Sequence, residues 1–368
     1  MKKRTQRKFL HISLAAVLAI FGFNYFFNQD SVEEEVLAAS ESKQEKNTSV
    51  TKTSSNIDNY LSDDTFNGIA ITLKDGDVSS CATYGYSNFD TQTENDLDTL
   101  FPVASLQKMM TASLVAKAVS ADKLTYDTQL SDFYPEIENS ESITIRDLLN
   151  QTSGIKMDEV APDSVLTTQE EQIDYVLDNL TSTGENDFNY TNANYSLLAG
   201  ILSTVSNKSY EELFTEEIIE PLQLTQTYFW DTVPEEEVAK AYDTTLLLGD
   251  YKVGEDDFVN SKELYSSLIG AGNVIMSGND LVTFLENLTN GTLLTSEELS
   301  TLLDGEDSYT SAFWKNDGLL QTNGSLGNYT SSVFVDQNGE DMVVLISNGN
   351  KIDSISDLAS TIYNDTIV

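Results

Sequence analysis

Along the chain, segments with apolar residues at every second position alternate with segments where they recur every third or fourth. Residues 68–87, GIAITLKDGDVSSCATYGYS, hold two β-rich runs about a Lys-Asp-Gly turn and predict a hairpin. Residues 105–119 set Leu106, Met109, Met110, Leu114 and Val115 at helical spacing and predict a helix. TIRDLLNQTSG, 144–154, predicts a short helix stopped by Gly154. From 169 to about 300 the pattern is mostly helical, clearest in NANYSLLAGILSTV and NDLVTFLENL. SSVFVDQNGEDMVVLISNG, 331–349, predicts a second hairpin around Asp336-Gln337-Asn338-Gly339, and a helix over about 353–364 follows. Strands at both ends of a helical middle predict an α+β body. Its antiparallel sheet is built from both chain ends and flanked by helices, with a helical region inserted between.

The first residues follow a different pattern. MKKRTQRK precedes a largely apolar run over 9–27. The run approaches the ~20 residues that span a bilayer. NYFFNQD is a poor cleavage context, and the Ala38-Ala39 pair lies beyond the acidic Glu33-Glu34-Glu35. Residues 1–28 therefore read as an uncleaved membrane anchor, with a secretion signal as the alternative. The basic flank stays inside, which puts the body on the outer face of the cell membrane as a single-pass protein. Residues 29–57 are rich in Ser, Thr, Glu, Lys and Asn without apolar period and predict a disordered tether, with 58–368 as the folded domain. Such a coil has a reach of about 30 Å.

Charge narrows the function classes. There are 20 basic and 60 acidic residues, for a net charge of −40, and Lys2, Lys3, Arg4, Arg7 and Lys8 all precede the first acid. A body this acidic is repelled by phosphate backbones, which argues against nucleic-acid binding. His11, the only histidine, lies in the apolar run, so the body has no Ser-His-Asp triad and no histidine-ligated zinc. Cys81 stands alone, so the chain forms no intramolecular disulfide. No metal or cofactor is required. Any hydrolase built here needs a base other than histidine.

Ser105 and Lys108 supply a candidate. At i and i+3 on a helix they share a face, with Cβ atoms about 5–6 Å apart. Burial pushes a lysine amine towards its neutral form, and a neutral amine accepts a serine proton. The ordinary alternative is a surface lysine on an amphipathic helix. Tyr190 and Asn192 stand just before a second helical run. Two apart in a loop, they can point into one cleft, the phenol relaying a proton and the amide orienting Lys108 and a carbonyl. Their ordinary alternative is turn and cap chemistry.

Several ordered segments together resemble the serine β-lactamase and penicillin-binding-protein superfamily. The branch is that of class C β-lactamases, D-Ala-D-Ala carboxypeptidases and related esterases. GIAITLKDG and YGYSNFDTQTENDLDTLFPVASLQK are similar to its strand pair and the approach to its nucleophile. ITIRDLLNQTSGI, IIEPLQLTQTYF and AGNVIMSGNDLVTFL are similar to three further family segments, with Gln223 where a glycine is usual. The resemblance implies a serine hydrolase of β-lactamase/transpeptidase fold with Ser105, Lys108, Tyr190 and Asn192 as catalytic residues.

One departure bears on substrate. The family's third motif is Lys-Thr-Gly or His-x-Gly, and QTNGSLGNYTSS puts Thr322-Asn323-Gly324 there. The resemblance implies that Thr322, Asn323, Gly324 and Ser325 bind substrate, and that the backbone N–H groups of Ser105 and Ser325 form an oxyanion hole. Threonine donates a hydrogen bond without charge, so binding of a substrate carboxylate weakens. The expected substrate is a cell-envelope D-alanyl ester or amide, such as the esters on teichoic acids. The alternatives are a D-Ala-D-Ala carboxypeptidase or weak β-lactamase, and a silent penicillin-binding-like sensor domain.

Overall fold

The structure is a computed structural model that describes residues 57–61, 66–243, 252–305, 308–316, 318–349 and 352–368. The predicted anchor over 1–28 and nearly all of the predicted tether lie outside these residues. Among the described residues, no helix is long and apolar enough to cross a membrane.

The two predicted hairpins meet in one antiparallel sheet. β1 (Gly68–Lys74), β2 (Asp77–Tyr84), β3 (Tyr309–Thr310), β4 (Phe313–Asn316), β5 (Leu319–Leu326), β6 (Tyr329–Asp336) and β7 (Met342–Ser347) run in the order β3-β4-β5-β6-β7-β1-β2. The first strand of the body thus pairs with the last, with Ile69 opposite Ile346 and Ile71 opposite Val344. Both faces of β1 are buried, because layers cover the sheet on both sides. On one face Ala70, Ala82, Phe334, Val343 and Leu345 pack against Ile355, Ala359 and Ile362 of the closing helix (Ile352–Ile362). Ile57 and Leu61 pack into that same core.

The other face carries the helical region. α1 (Gln107–Ser120) is followed by α2 (Ile145–Asn150), α3 (Asn192–Ser206) and α4 (Gly278–Thr289). At the start of α4, a Cβ on Gly278 would lie 2.1 Å from Ile69 Cδ1, so glycine lets the helix sit against β1. The stretch predicted to be mostly helical also holds strands. Val274–Met276 pairs with both Thr227–Phe229 and Phe101–Pro102. These runs are too short for a strand period to stand out among helical ones.

One ordinary alternative does not hold, and one expectation is corrected. α1 is not a surface amphipathic helix but is buried nearly all round. Its polar positions are satisfied inside: Thr111 Oγ1 donates to Gly270 O at 2.7 Å, Ser113 Oγ to Met109 O at 2.8 Å, and Gln107 Nε2 to Asn273 Oδ1 at 3.0 Å. Buried polar groups require such partners. α2 ends before Gly154, at Gln151, which takes the left-handed conformation with φ 62°.

Candidate active site

The chain enters the site along Phe101–Pro102 and turns sharply before α1. Val103 N donates to Val274 O at 3.2 Å, and Leu106 N to Val103 O at 3.1 Å, closing a single 3₁₀ turn over Ala104–Leu106. Ala104 has φ 48°, a conformation that costs a non-glycine residue about 1–2 kcal/mol. The surrounding core supplies the restraint, since Ala104 packs with Leu268, Ile275 and Leu326. The turn leaves Ser105 half-buried at the head of α1, where the helix dipole favours developing negative charge.

Lys108 lies one turn further on and is fully buried. Its Nζ donates to Ser105 Oγ at 3.0 Å, to Asn192 Oδ1 at 2.7 Å and to Ala271 O at 2.8 Å. Three N–H bonds on three acceptors account for every ammonium proton. If one proton leaves, two N–H groups remain for Asn192 and Ala271, and the lone pair faces Ser105 Oγ. The ring of Tyr190 sits 5.0 Å from the same nitrogen, centroid to Nζ. The ordinary alternative of a surface lysine therefore does not hold: Lys108 lies inside, against Ser105.

Tyr190 and Asn192 owe their positions to the start of α3. Thr191 is its N-cap and accepts from Ala193 N; Asn192 is the first helical residue. Gln151 reaches over from the end of α2. Its Oε1 accepts from Thr191 N at 3.1 Å and from Asn194 Nδ2 at 2.6 Å. Behind Tyr190 stands Tyr309, edge to face at 6.0 Å between centroids. Burial pushes the hydroxyls of Tyr309 and Tyr195 well above the ordinary phenol range, so both stay protonated beside Tyr190.

β5 forms the opposite wall. Its residues 319–321 pair with β4 on one edge, whereas 322–326 pair with β6 alone. The edge left by β4 borders the cleft. Alternation along the strand puts Thr322 and Gly324 on one face and Asn323 and Ser325 on the other. A Cβ on Gly324 would fall 2.4 Å from Val103 O and 2.6 Å from Ser331 Oγ, so that face lies against the nucleophile turn. Thr322 is buried on the same face. Asn323 spends its side-chain oxygen on Ser332 Oγ, at 2.7 Å.

A cleft of about 500 Å³ takes in Ser105, Tyr190, Asn192, Thr322, Asn323, Gly324 and Ser325, with Lys108 behind its floor. All eight residues expected from sequence thus meet at one place. Sequence reasoning missed Gln151, Ala271, Tyr309 and the cleft carboxylates Asp158 and Glu159. Ala271 acts through its carbonyl, which no side-chain pattern reveals. Glu159, which accepts from Asn192 Nδ2, sits in a loop without periodicity.

Comparison with known proteins gives the family and the fold. A relative in Bacillus subtilis (strain 168), described as a putative penicillin-binding protein PbpX, is 25% identical over 319 residues, covering 86% of this chain and 79% of the relative. The teichoic acid D-alanine hydrolase of Staphylococcus aureus is 27% identical over 328 residues, covering 84% of this chain and 77% of the relative. Among solved structures, FmtA from Staphylococcus aureus superposes with a TM-score of 0.74 at 24% identity, covering 88% of this chain and 93% of that one. The D-amino acid amidase of Ochrobactrum anthropi SV3, in complex with L-phenylalanine amide, gives 0.68 at 19% identity, covering 83% and 95%. The model of one family, Beta-lactamase, matches residues 54–359, most of the chain, and the chain belongs to that family and is a serine hydrolase.

Proposed function

We propose that the protein hydrolyses D-alanyl esters of the cell envelope through an acyl-enzyme. The observation that carries this reading is the hydrogen-bonded set Ser105–Lys108–Asn192, which opens onto a cleft where neutral Thr322 stands in place of the family's cation. Similarity to a teichoic acid D-alanine hydrolase supports the substrate class.

In this reading Ser105 Oγ attacks the ester carbonyl carbon and its proton passes to the Lys108 amine. Negative charge on the carbonyl oxygen is met by the backbone N–H groups of Ser105 and Ser325. The C–O bond breaks, and the leaving alkoxide takes a proton from Lys108 by way of the Tyr190 hydroxyl. Asn192 keeps Lys108 aimed throughout. Water then attacks the acyl carbon, its proton follows the same route, and free D-alanine and Ser105 are released. The body works outside the cell, tethered by the apolar run over 9–27; the basic flank of that run supports this topology. Protease added to intact cells should then digest the body, and a protected body excludes the topology.

A second reading is a D-Ala-D-Ala carboxypeptidase, favoured by the similarity to a putative penicillin-binding protein. One experiment separates the two. kcat/KM is measured for a D-alanyl glycerol ester and for a D-Ala-D-Ala peptide, and intact mass is recorded during turnover. A higher value on the ester, with a transient D-alanyl adduct lost in Ser105→Ala, supports the esterase. A higher value on the peptide returns the carboxypeptidase to first place.

A further inference from the structure

One charged group in the cleft has no task in the mechanism above. Glu159 is exposed, lines the same cleft as Ser105, and accepts a hydrogen bond from Asn192 Nδ2. Asn192 Oδ1 accepts from Lys108 Nζ at 2.7 Å, and Lys108 Nζ donates to Ser105 Oγ at 3.0 Å. Direct contacts thus join the carboxylate to the nucleophile through two side chains. Among the described residues, no lysine or arginine is ion-paired with Glu159. A carboxylate offers about four acceptor sites, and Asn192 occupies one.

An ester with an ammonium group on its α-carbon puts the charged nitrogen two bonds from the carbonyl carbon that Ser105 attacks. We propose that Glu159 is a specificity-determining residue that binds the α-ammonium of the acyl group while Ser105 attacks. The inference rests on the D-alanyl esterase reading. It accounts for a carboxylate held on the side of Asn192 remote from Lys108, where it meets the acyl group without displacing the base. Asp158 also lines the cleft and adds negative potential.

The test compares two glycerol esters that differ only at the α-carbon: D-alanyl, with its ammonium, and D-lactyl, with a hydroxyl. The enzymes are wild type, Glu159→Gln and Glu159→Lys. Glutamine still accepts from Asn192 Nδ2 and removes the charge alone. An ammonium–carboxylate bond is roughly twice as strong as a neutral one, so kcat/KM of Glu159→Gln on the D-alanyl ester should fall about tenfold, with the D-lactyl ester within about twofold. Glu159→Lys should lower the D-alanyl rate further and spare the D-lactyl rate more. Equal losses on both esters overturn the proposal, since they mean that Glu159 only steadies Asn192. No loss on either ester also overturns it. If wild type hydrolyses the D-lactyl ester as well as the D-alanyl ester, Glu159 selects nothing and the proposal fails while the esterase stands. If wild type hydrolyses neither, the esterase reading itself falls and this inference with it.

Discussion

Lys108 Nζ and Asn192 Oδ1 lie 2.7 Å apart, although α1 and α3 are joined by 71 intervening residues of varied structure, from Ala121 to Thr191. This contact holds the amine against Ser105 when the lysine has fewer protons to share. Removing it leaves Lys108 with Ala271 O alone as a fixed anchor. Asn192→Ala should therefore lower kcat by on the order of 10²-fold, with KM changed much less. Steady-state kinetics on a D-alanyl ester measures this. A rise in KM with kcat intact would make Asn192 a binding residue instead.

The nucleophile assignment has its own test. Ser105→Ala removes one half-buried hydroxyl and one acceptor of Lys108, for a stability change of about 1 kcal/mol. Activity should fall by on the order of 10³-fold or more, because no other group takes over the covalent step. Thermal unfolding and ester turnover are measured on the same preparation. Wild-type turnover in the pure variant excludes Ser105 as the nucleophile.

Gln151 joins backbone strain to site geometry. Its φ of 62° favours glycine, yet its side chain accepts from Thr191 N at 3.1 Å and so steadies the turn carrying Tyr190 and Asn192. Gln151→Gly relieves the strain and loses the brace, whereas Gln151→Ala keeps the strain and loses the brace. Glycine should be the more stable of the two by about 1 kcal/mol, and both should lose kcat. Urea midpoints and kcat of the pair decide it. Full activity in either variant shows that the brace is dispensable.

Much of this was readable along the chain, for physical reasons that differ by element. β1 and β7 announced themselves because central strands need runs of Ile, Val and Leu. The pairing of Ser105 with Lys108 was readable because residues one helical turn apart share a face. Gln151 was not, since glutamine at a helix end carries no turn signal and Gly154 lies three residues on, also with positive φ. The enclosure of α1 was not readable because Thr111 and Ser113 are polar; in the fold they bond to backbone carbonyls and are buried. Gln223 stands where the family usually has glycine, and it too takes a positive φ, 54°, so the substitution kept the turn.

Glu211 gives a pH dependence. Burial, with help from the Asp231 charge, pushes its carboxyl up to about 7 from an ordinary value of 4.5. Between those two values the folded chain binds more protons at this site than the unfolded chain. Stability from this group therefore falls as pH rises from about 4.5 to 7, and the penalty is complete above that. Because the side chain is partly exposed, solvent screening limits the effect to about 1 kcal/mol. Glu211→Gln should raise Tm at pH 8 and leave it almost unchanged at pH 4. Equal gains at both values would trace the effect to packing.

In the proposed reading, Thr322 carries the choice of substrate. It is buried on the face of β5 that also presents Gly324 to the nucleophile turn, and it offers a hydroxyl where the family offers a cation. A hydrogen bond to a charged partner is worth roughly 1.5–3 kcal/mol, against about 1 for a neutral one. A peptide ending in a free carboxylate loses that difference here. A D-alanyl ester has no such carboxylate and loses nothing. Thr322→Lys should then raise kcat/KM for a D-Ala-D-Ala peptide relative to a D-alanyl ester by about tenfold. It should also speed acylation by penicillin, whose carboxylate gains the same partner. The ester rate should drop, because the new ammonium repels the ammonium of the substrate. Both rates are measured in wild type and variant at one ionic strength, since salt screens the charge difference. An unchanged ratio would mean that the neutral third motif does not set the substrate, and the preference would have to be sought elsewhere in the cleft.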